Sequence, residues 1–468
     1  MSAPESAAQQ ARPMKGDLTQ GPILRTLALF AVPMLISNVI QTLNGTINAI
    51  WVGRLLGESA LAATTNANGV MFLLFAAVIG LGTATTIRVG QHFGARDLDA
   101  ARRTFGSGLG FSALVAAAVG LVGWFAAPAL LRLLGTPQAS FAQADIYLRV
   151  VFATMPFGAI SMVLSMGLRG VGDARLPLHA MMLTVVLDVA FNPLLIMGVG
   201  PFPELGIAGS ALSTALANMA GVAWMIAGMI RRGSPLHLSG RALRLLVPQS
   251  AELRFIVGKG LPMAVQMLMI SSAQMVVISL VNREGVDTTA AFGAAMNLWG
   301  YLQMPAFAIS GAVSAMVAQN IGAGSHERVS KVTNAGILVN VGMTGLLAAA
   351  MVLFDRPLLA LFLGADSPAV PIAQHIQYIS TWPYVLMGAS MVVVGTMRSY
   401  GVVIVPLLIQ ATALYPVRLG FYFTAYPYLG GDALWWSYPL SSVTSVTLAW
   451  LYYTRGPWRQ KRDSAYSR

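Results

Sequence analysis

The chain has 468 residues, 56% of them hydrophobic and 10% charged, with a mean hydropathy of +0.68. Soluble domains carry about 25% charged residues, and so few charges do not cover the water-facing surface of a chain this long, which excludes a soluble enzyme, a nucleic-acid-binding domain and a disordered scaffold. The net charge of +12 is therefore read by position, and the lack of cysteine excludes disulfides, thiolate catalysis and zinc–sulfur sites.

Residues 1–22 are polar and lack the apolar core of a secretory signal, so they read as a cytoplasmic tail. A bilayer-spanning helix needs about 20 apolar residues. Twelve stretches meet this: 24–51, 59–88, 105–134, 142–169, 176–199, 206–230, 257–282, 288–322, 331–362, 374–398, 402–426 and 432–454. They predict an all-α polytopic membrane protein, with a six-helix bundle over 23–231 and another over 257–454. The polar stretch 232–256 reads as a cytoplasmic linker. Its run Arg241-Ala242-Leu243-Arg244-Leu245-Leu246 suits either a surface helix or a plain tether. Residues 455–468 form a basic tail.

Twelve spans return both termini to one side. Of the 29 Lys and Arg residues, 23 fall on that side and five on the other, namely Arg54, Arg132, Arg149, Arg283 and Arg356. Arg418 lies within a span. Basic loops stay cytoplasmic, so both termini are predicted there, in an inner membrane.

A shift of 229 residues partly maps the chain onto itself. Pro33 falls on Pro262, Asn68 on Asn297, and Arg169, Gly172 and Pro177 on Arg398, Gly401 and Pro406. At a shift of 228, Val89-Gly90-Gln91-His92-Phe93-Gly94-Ala95 falls on Val317-Ala318-Gln319-Asn320-Ile321-Gly322-Ala323. Six helices per half make the repeat parallel, an architecture suited to alternating access.

Asp188 is the single acid in the interior of a span, and Asn192 lies one turn on, on the same face. The pair suits either a sodium ion held by oxygens or a proton carrier, against a purely structural acceptor. Asn38, Gln41, Asn44 and Asn48 form an amide stripe on the first span, and Ser210, Ser213 and Thr214 offer hydroxyls on the sixth. Gln41, Asn68, Gln266, Gln274, Asn297 and Met304 are candidates for a substrate cavity, and Trp299 and Trp382 for its apolar wall. Simple helix packing is the alternative for each. Arg418 is read as structural or as a partner of substrate charge. Prolines 33, 156, 193, 262, 305, 383, 416 and 439 are expected to interrupt helices. The five histidines lack metal-ligand spacing, and no nucleotide-binding Gly-x-x-x-x-Gly-Lys motif occurs, so no resident metal, cofactor or enzyme activity is expected.

Six motifs in order carry a resemblance: Ile50-Trp51-Val52-Gly53-Arg54-Leu55-Leu56-Gly57, Val89–Ala95, Gly167-Leu168-Arg169-Gly170-Val171-Gly172-Asp173, Asn192-Pro193-Leu194, Leu205-Gly206-Ile207-Ala208-Gly209-Ser210-Ala211 and Gln319-Asn320-Ile321-Gly322-Ala323-Gly324. Over residues 20–458 the chain resembles the multidrug and toxic compound extrusion (MATE) family. The major facilitator fold is disfavoured because its Asp-Arg-x-Gly-Arg pattern is missing. The resemblance implies two bundles that export amphipathic, mostly cationic compounds in exchange for H⁺ or Na⁺, with the cation site at this turn of the fifth helix. The implied partners are small organic substrates and membrane lipid, without nucleic acid, and the chain is expected to act as a monomer. Asn48, Ile270 and Met387 stand where many members carry acids, so the coupling charge is expected to have moved to Asp188, with Asn44, Asn48, Asn192 and Ser210 around it. The alternatives are a flippase for lipid-linked precursors in the same superfamily, or a non-transporting membrane receptor.

Overall fold

The structure, a computed structural model, describes residues 16–456 except 134, 135 and 137. No strand occurs among the described residues. The first half contains α1 (Ile23–Leu56), α2 (Glu58–Gly94), α3 (Leu98–Leu133), α4 (Gln138–Gly170), α5 (Arg175–Met197) and α6 (Ile207–Arg231). The second contains α7 (Ser250–Val281), α8 (Val286–Gly322), α9 (His326–Leu353), α10 (Asp355–Leu363), α11 (Ala369–Ser380), α12 (Pro383–Ser399), α13 (Ile404–Thr412), α14 (Gly420–Leu429) and α15 (Asp432–Arg455). Among the described residues ten helices, with Ile404–Leu429 (α13, the turn after it and α14) counted as one, are long and apolar enough to cross a membrane, and the pair α11–α12 makes an eleventh span bent by 42°. The twelfth, α15, is the right length at 24 residues but is rich in Trp, Tyr, Ser and Thr.

The second half is the more broken, and its breaks fall at prolines. Within the predicted span 331–362 the helix ends at Leu353. The ring of Pro357 would meet the carbonyl of residue 353, and the short α10 starts a new axis. Pro383 interrupts its span as expected: it is the first residue of α12, after the bend from α11, where its missing N–H costs nothing. Between α13 and α14, the seven residues Ala413–Leu419 form a π-helical turn around Pro416. The run Arg241–Leu246, open between a surface helix and a plain tether, lies in a 3₁₀ segment, Gly240–Leu246, and α7 begins at Ser250, inside the stretch read as linker. Main-chain oxygens of Leu245 and Leu246 lie over Gly106 and Gly110 of α3, so the segment is docked on α3.

The halves meet through α1 and α2 on one side and their repeat partners α7 and α8 on the other. Leu27, Phe30, Ala31 and Met34 of α1 are buried with Ala308, Ile309, Ala312 and Ala315 of α8. Closest of all are the ends of α2 and α8. A Cβ on Gly94 would lie 1.9 Å from the Gln319 oxygen, and one on Gly322 would lie 1.8 Å from the Gln91 oxygen. Backbones approach this closely only where both positions lack a side chain.

Hydrogen bonds repeat that symmetry. Gln91 Nε2 donates to the Ser399 carbonyl at 2.8 Å, and Gln319 Nε2 donates to the Gly170 carbonyl at 2.9 Å. Ser399 and Gly170 end α12 and α4, so each glutamine caps an orphan helix-terminal carbonyl of the other half. The N-terminal segment adds a strap across this joint. Leu18 N donates to Gln319 Oε1 at 2.9 Å, Gly16 packs on Val171 and Gly172, and Arg328 donates to the carbonyls of Gln20 and Gly21.

Candidate functional site

Asp188 and Asn192 lie one turn apart on α5, and both are fully buried. Their face of α5 meets α1 and α6. Two α1 amides converge on one carboxylate oxygen: Asn44 Nδ2 donates to Asp188 Oδ2 at 3.0 Å, and Asn48 Nδ2 at 2.8 Å. From α6, Ser213 Oγ donates to Oδ1 at 2.8 Å and lies 3.0 Å from the Asp188 carbonyl. Thr214 Oγ1 lies 3.1 Å from Oδ1 and 3.3 Å from Oδ2. Each hydroxyl has one proton, so each serves one of these acceptors at a time. Asn192 Nδ2 donates to Asn48 Oδ1 at 2.8 Å, which fixes the orientation of the Asn48 amide.

No Lys, Arg or His pairs with Asp188 among the described residues. Its compensation is made of neutral donors alone. Two buried oxygens beside it, Asn44 Oδ1 and Asn192 Oδ1, have no hydrogen-bond partner among the described residues. A site with one carboxylate, two hydroxyls and spare amide oxygens has the donor set of a hard monovalent cation. Ser210, expected among the ligands, is buried one turn earlier, and its carbonyl accepts from Thr214 at 3.3 Å. The hydroxyls on the carboxylate are those of Ser213 and Thr214.

The cavity candidates separate into two groups. Gln41 continues the α1 stripe of Phe30 and Met34, about 20° off at 100° per residue, but is exposed where those are buried. On α8, Asn297 and Met304 fall within about 60° of Gly311 and Gly322, which face the other half. Asn68 lies about 80° from Gly94, the repeat partner of Gly322 on α2. Asn68 and Asn297 are exposed and Met304 is half-buried, so these faces are packed at the Gln91–Gln319 joint and open farther along. The other group is tied to neighbours. Gln266 is buried and accepts from Arg398 Nη2 at 2.5 Å. Gln274 donates to the Tyr438 hydroxyl at 3.5 Å. Trp299, expected in an apolar wall, is a core residue; its Nε1 donates to Gln377 Oε1 at 3.1 Å and Thr381 Oγ1 at 3.0 Å. Trp382 is exposed.

The fold and the buried acid define a class, the multi-pass helical membrane transporters built from two parallel repeats. The MatE family model matches residues 33–194 and 262–424, and the chain belongs to the MATE family of multidrug efflux transporters. It is 32% identical to the probable multidrug resistance protein YoeA of Bacillus subtilis over 442 residues, covering 94% of this chain and 95% of that protein. A FAD transporter of Shewanella oneidensis is 27% identical over 349 residues, 74% of this chain and 75% of that one. The fold matches a multidrug resistance MATE family transporter of the MOP superfamily, solved in an outward-facing conformation, with a TM-score of 0.87 and 22% identity over 98% of this chain and 100% of that one.

Proposed function

We propose that the protein is a secondary active antiporter that exports small amphipathic, mostly cationic compounds in exchange for H⁺ or Na⁺ bound at Asp188. The supporting observation is the fully buried Asp188 carboxylate, held by neutral donors beside two spare amide oxygens. A proton on Oδ2 turns an acceptor into a donor facing the amides of Asn44 and Asn48. One of those amides must then rotate and present Oδ1. A sodium ion demands the same rotation, because it binds oxygen and not N–H.

Either event pulls on α1, which also carries Leu27 and Phe30 in the joint with α8. Pro33 lies between the two regions and removes one helical hydrogen bond, giving the helix a place to bend. Ion binding in the first half is thereby linked to the contact between halves. In this reading the bundles 23–231 and 257–454 are the moving bodies, the exposed faces of Gln41, Asn68 and Asn297 line the substrate cleft, and the closed joint lies at the cytoplasmic side of an inner membrane, which the excess of basic loops supports.

The test is dye efflux from proteoliposomes under a proton gradient or a sodium gradient, applied separately. One gradient should drive export by the native protein, and Asp188→Asn should abolish that dependence. Export driven by neither gradient, or unchanged in Asp188→Asn, overturns the reading.

A further inference from the structure

The repeat places a second ionisable residue where Asp188 sits in the first half. Pro177 and Pro406 are repeat partners. Asp188 follows Pro177 by 11 residues and Arg418 follows Pro406 by 12, and the π-helical turn Ala413–Leu419 absorbs the additional residue. The following helices agree. Gly206 (φ 54°, ψ −131°) and Gly430 (φ 56°, ψ −138°) have the same backbone conformation before α6 and α15. Eight residues past each come Thr214, which bonds Asp188, and Tyr438, whose ring lies 4.2 Å from the Arg418 guanidinium carbon. The two halves thus hold opposite charges at corresponding positions.

Arg418 is not neutralised by protein. Nε and Nη2 donate to Ser441 Oγ at 3.0 and 2.8 Å, and that hydroxyl donates onward to the Tyr438 carbonyl at 3.0 Å. A guanidinium has five N–H groups. The other three have no protein acceptor among the described residues, and no acid pairs with the group. Arg418 is half-buried, so these donors have room for an incoming acceptor. The surroundings are uncharged and stiff: Tyr438 and Tyr384 pack on the buried Trp299 at 5.6 and 5.3 Å, and Gln274 reaches the Tyr438 hydroxyl. An unpaired guanidinium within a membrane span, held at one edge and free at the other, is costly unless an anion completes it.

We infer that Arg418 is the docking point for an anionic group, a carboxylate carried by the transported compound. This rests on the export reading and narrows its substrates to molecules bearing a negative group beside their apolar or cationic part.

The test measures equilibrium binding, without any ion gradient, to the purified full chain in lipid nanodiscs. The probes are a xanthene dye with a free carboxylate and its methyl ester. The native protein should bind the acid about tenfold more tightly than the ester, the scale of one charge-assisted contact. Arg418→Met should bring that ratio close to one, and Arg418→Lys, which keeps the charge and loses the fork, should leave it in between. Absence of a preference in the native protein, or its persistence in Arg418→Met, overturns the inference. So does a preference seen in zwitterionic lipid and lost in anionic lipid, which assigns Arg418 to lipid phosphate. Asp188→Asn should keep the ratio while losing ion-driven export, so this proposal and the export reading fail independently.

Discussion

Gln91 and Gln319, one from each half, make the same hydrogen bond in opposite directions, each to the last carbonyl of the other half's fourth span. The two bonds are the reciprocal clasp of the closed joint, and nothing in them favours one half over the other. A hydrogen bond of this kind contributes about 0.5–1.5 kcal/mol net.

Removing both bonds should therefore shift the conformational balance without unfolding the chain. Gln91→Ala with Gln319→Ala, which also releases Leu18 N from the strap, should raise the population open at this end about tenfold or more. The chain has no native cysteine, so Ala318→Cys, fully buried against Gly90, reports on opening through its rate of thiol labelling. The single variants should each give an intermediate rate.

The glycines opposite these residues should be less forgiving. In Gly94→Val or Gly322→Val the new side chain meets a main-chain oxygen within 2 Å, and no rotamer relieves it. Either variant should be well folded by circular dichroism, label rapidly at Ala318→Cys, and export dye at less than about a tenth of the native rate, since a carrier held open on one side completes no cycle.

At the ion site, Asn48 both donates to Asp188 and accepts from Asn192. Asn48→Ala removes the Oδ1 that a rotated Asn48 presents to the ion or proton and leaves the Asn192 amide without an acceptor, which costs about 1–3 kcal/mol. The ion concentration for half-maximal export should rise about tenfold or more. Asn38→Ala, half-buried on the same helix and outside this network, should change it little.

Trp299 separates stability from transport. Trp299→Ala removes the centre of the second half's core together with the indole donor to Gln377 and Thr381. A loss of about 3–5 kcal/mol is expected, read as a lower unfolding temperature of the purified protein. Trp299→Phe should recover the packing part of that loss but not the hydrogen bonds.

The amide stripe on α1 was legible because helical periodicity puts Asn44 and Asn48 on one face, and a lone acid in a span has to find donors. Those two amides and Asp188 do meet. The hydroxyls were visible as a group on α6, but which of them reach the carboxylate depends on the crossing of α5 and α6, which periodicity leaves open. Gln266 shows the limit from the other side: an amide in a span looked like a cavity group, yet Arg398 takes it from another helix. The clasp was hidden for a different reason. Gln91 and Gln319 stood out in the repeat, but their acceptors are backbone oxygens, which sequence does not distinguish.

That choice of acceptor bears on how a duplicated chain diverges. One glutamine caps a glycine and the other a serine, and the bond is the same because neither side chain takes part. The fastening itself asks nothing of the side chains at 170 and 399, and the halves hold chemical opposites, acid in one and base in the other, without losing the fit that lets them close.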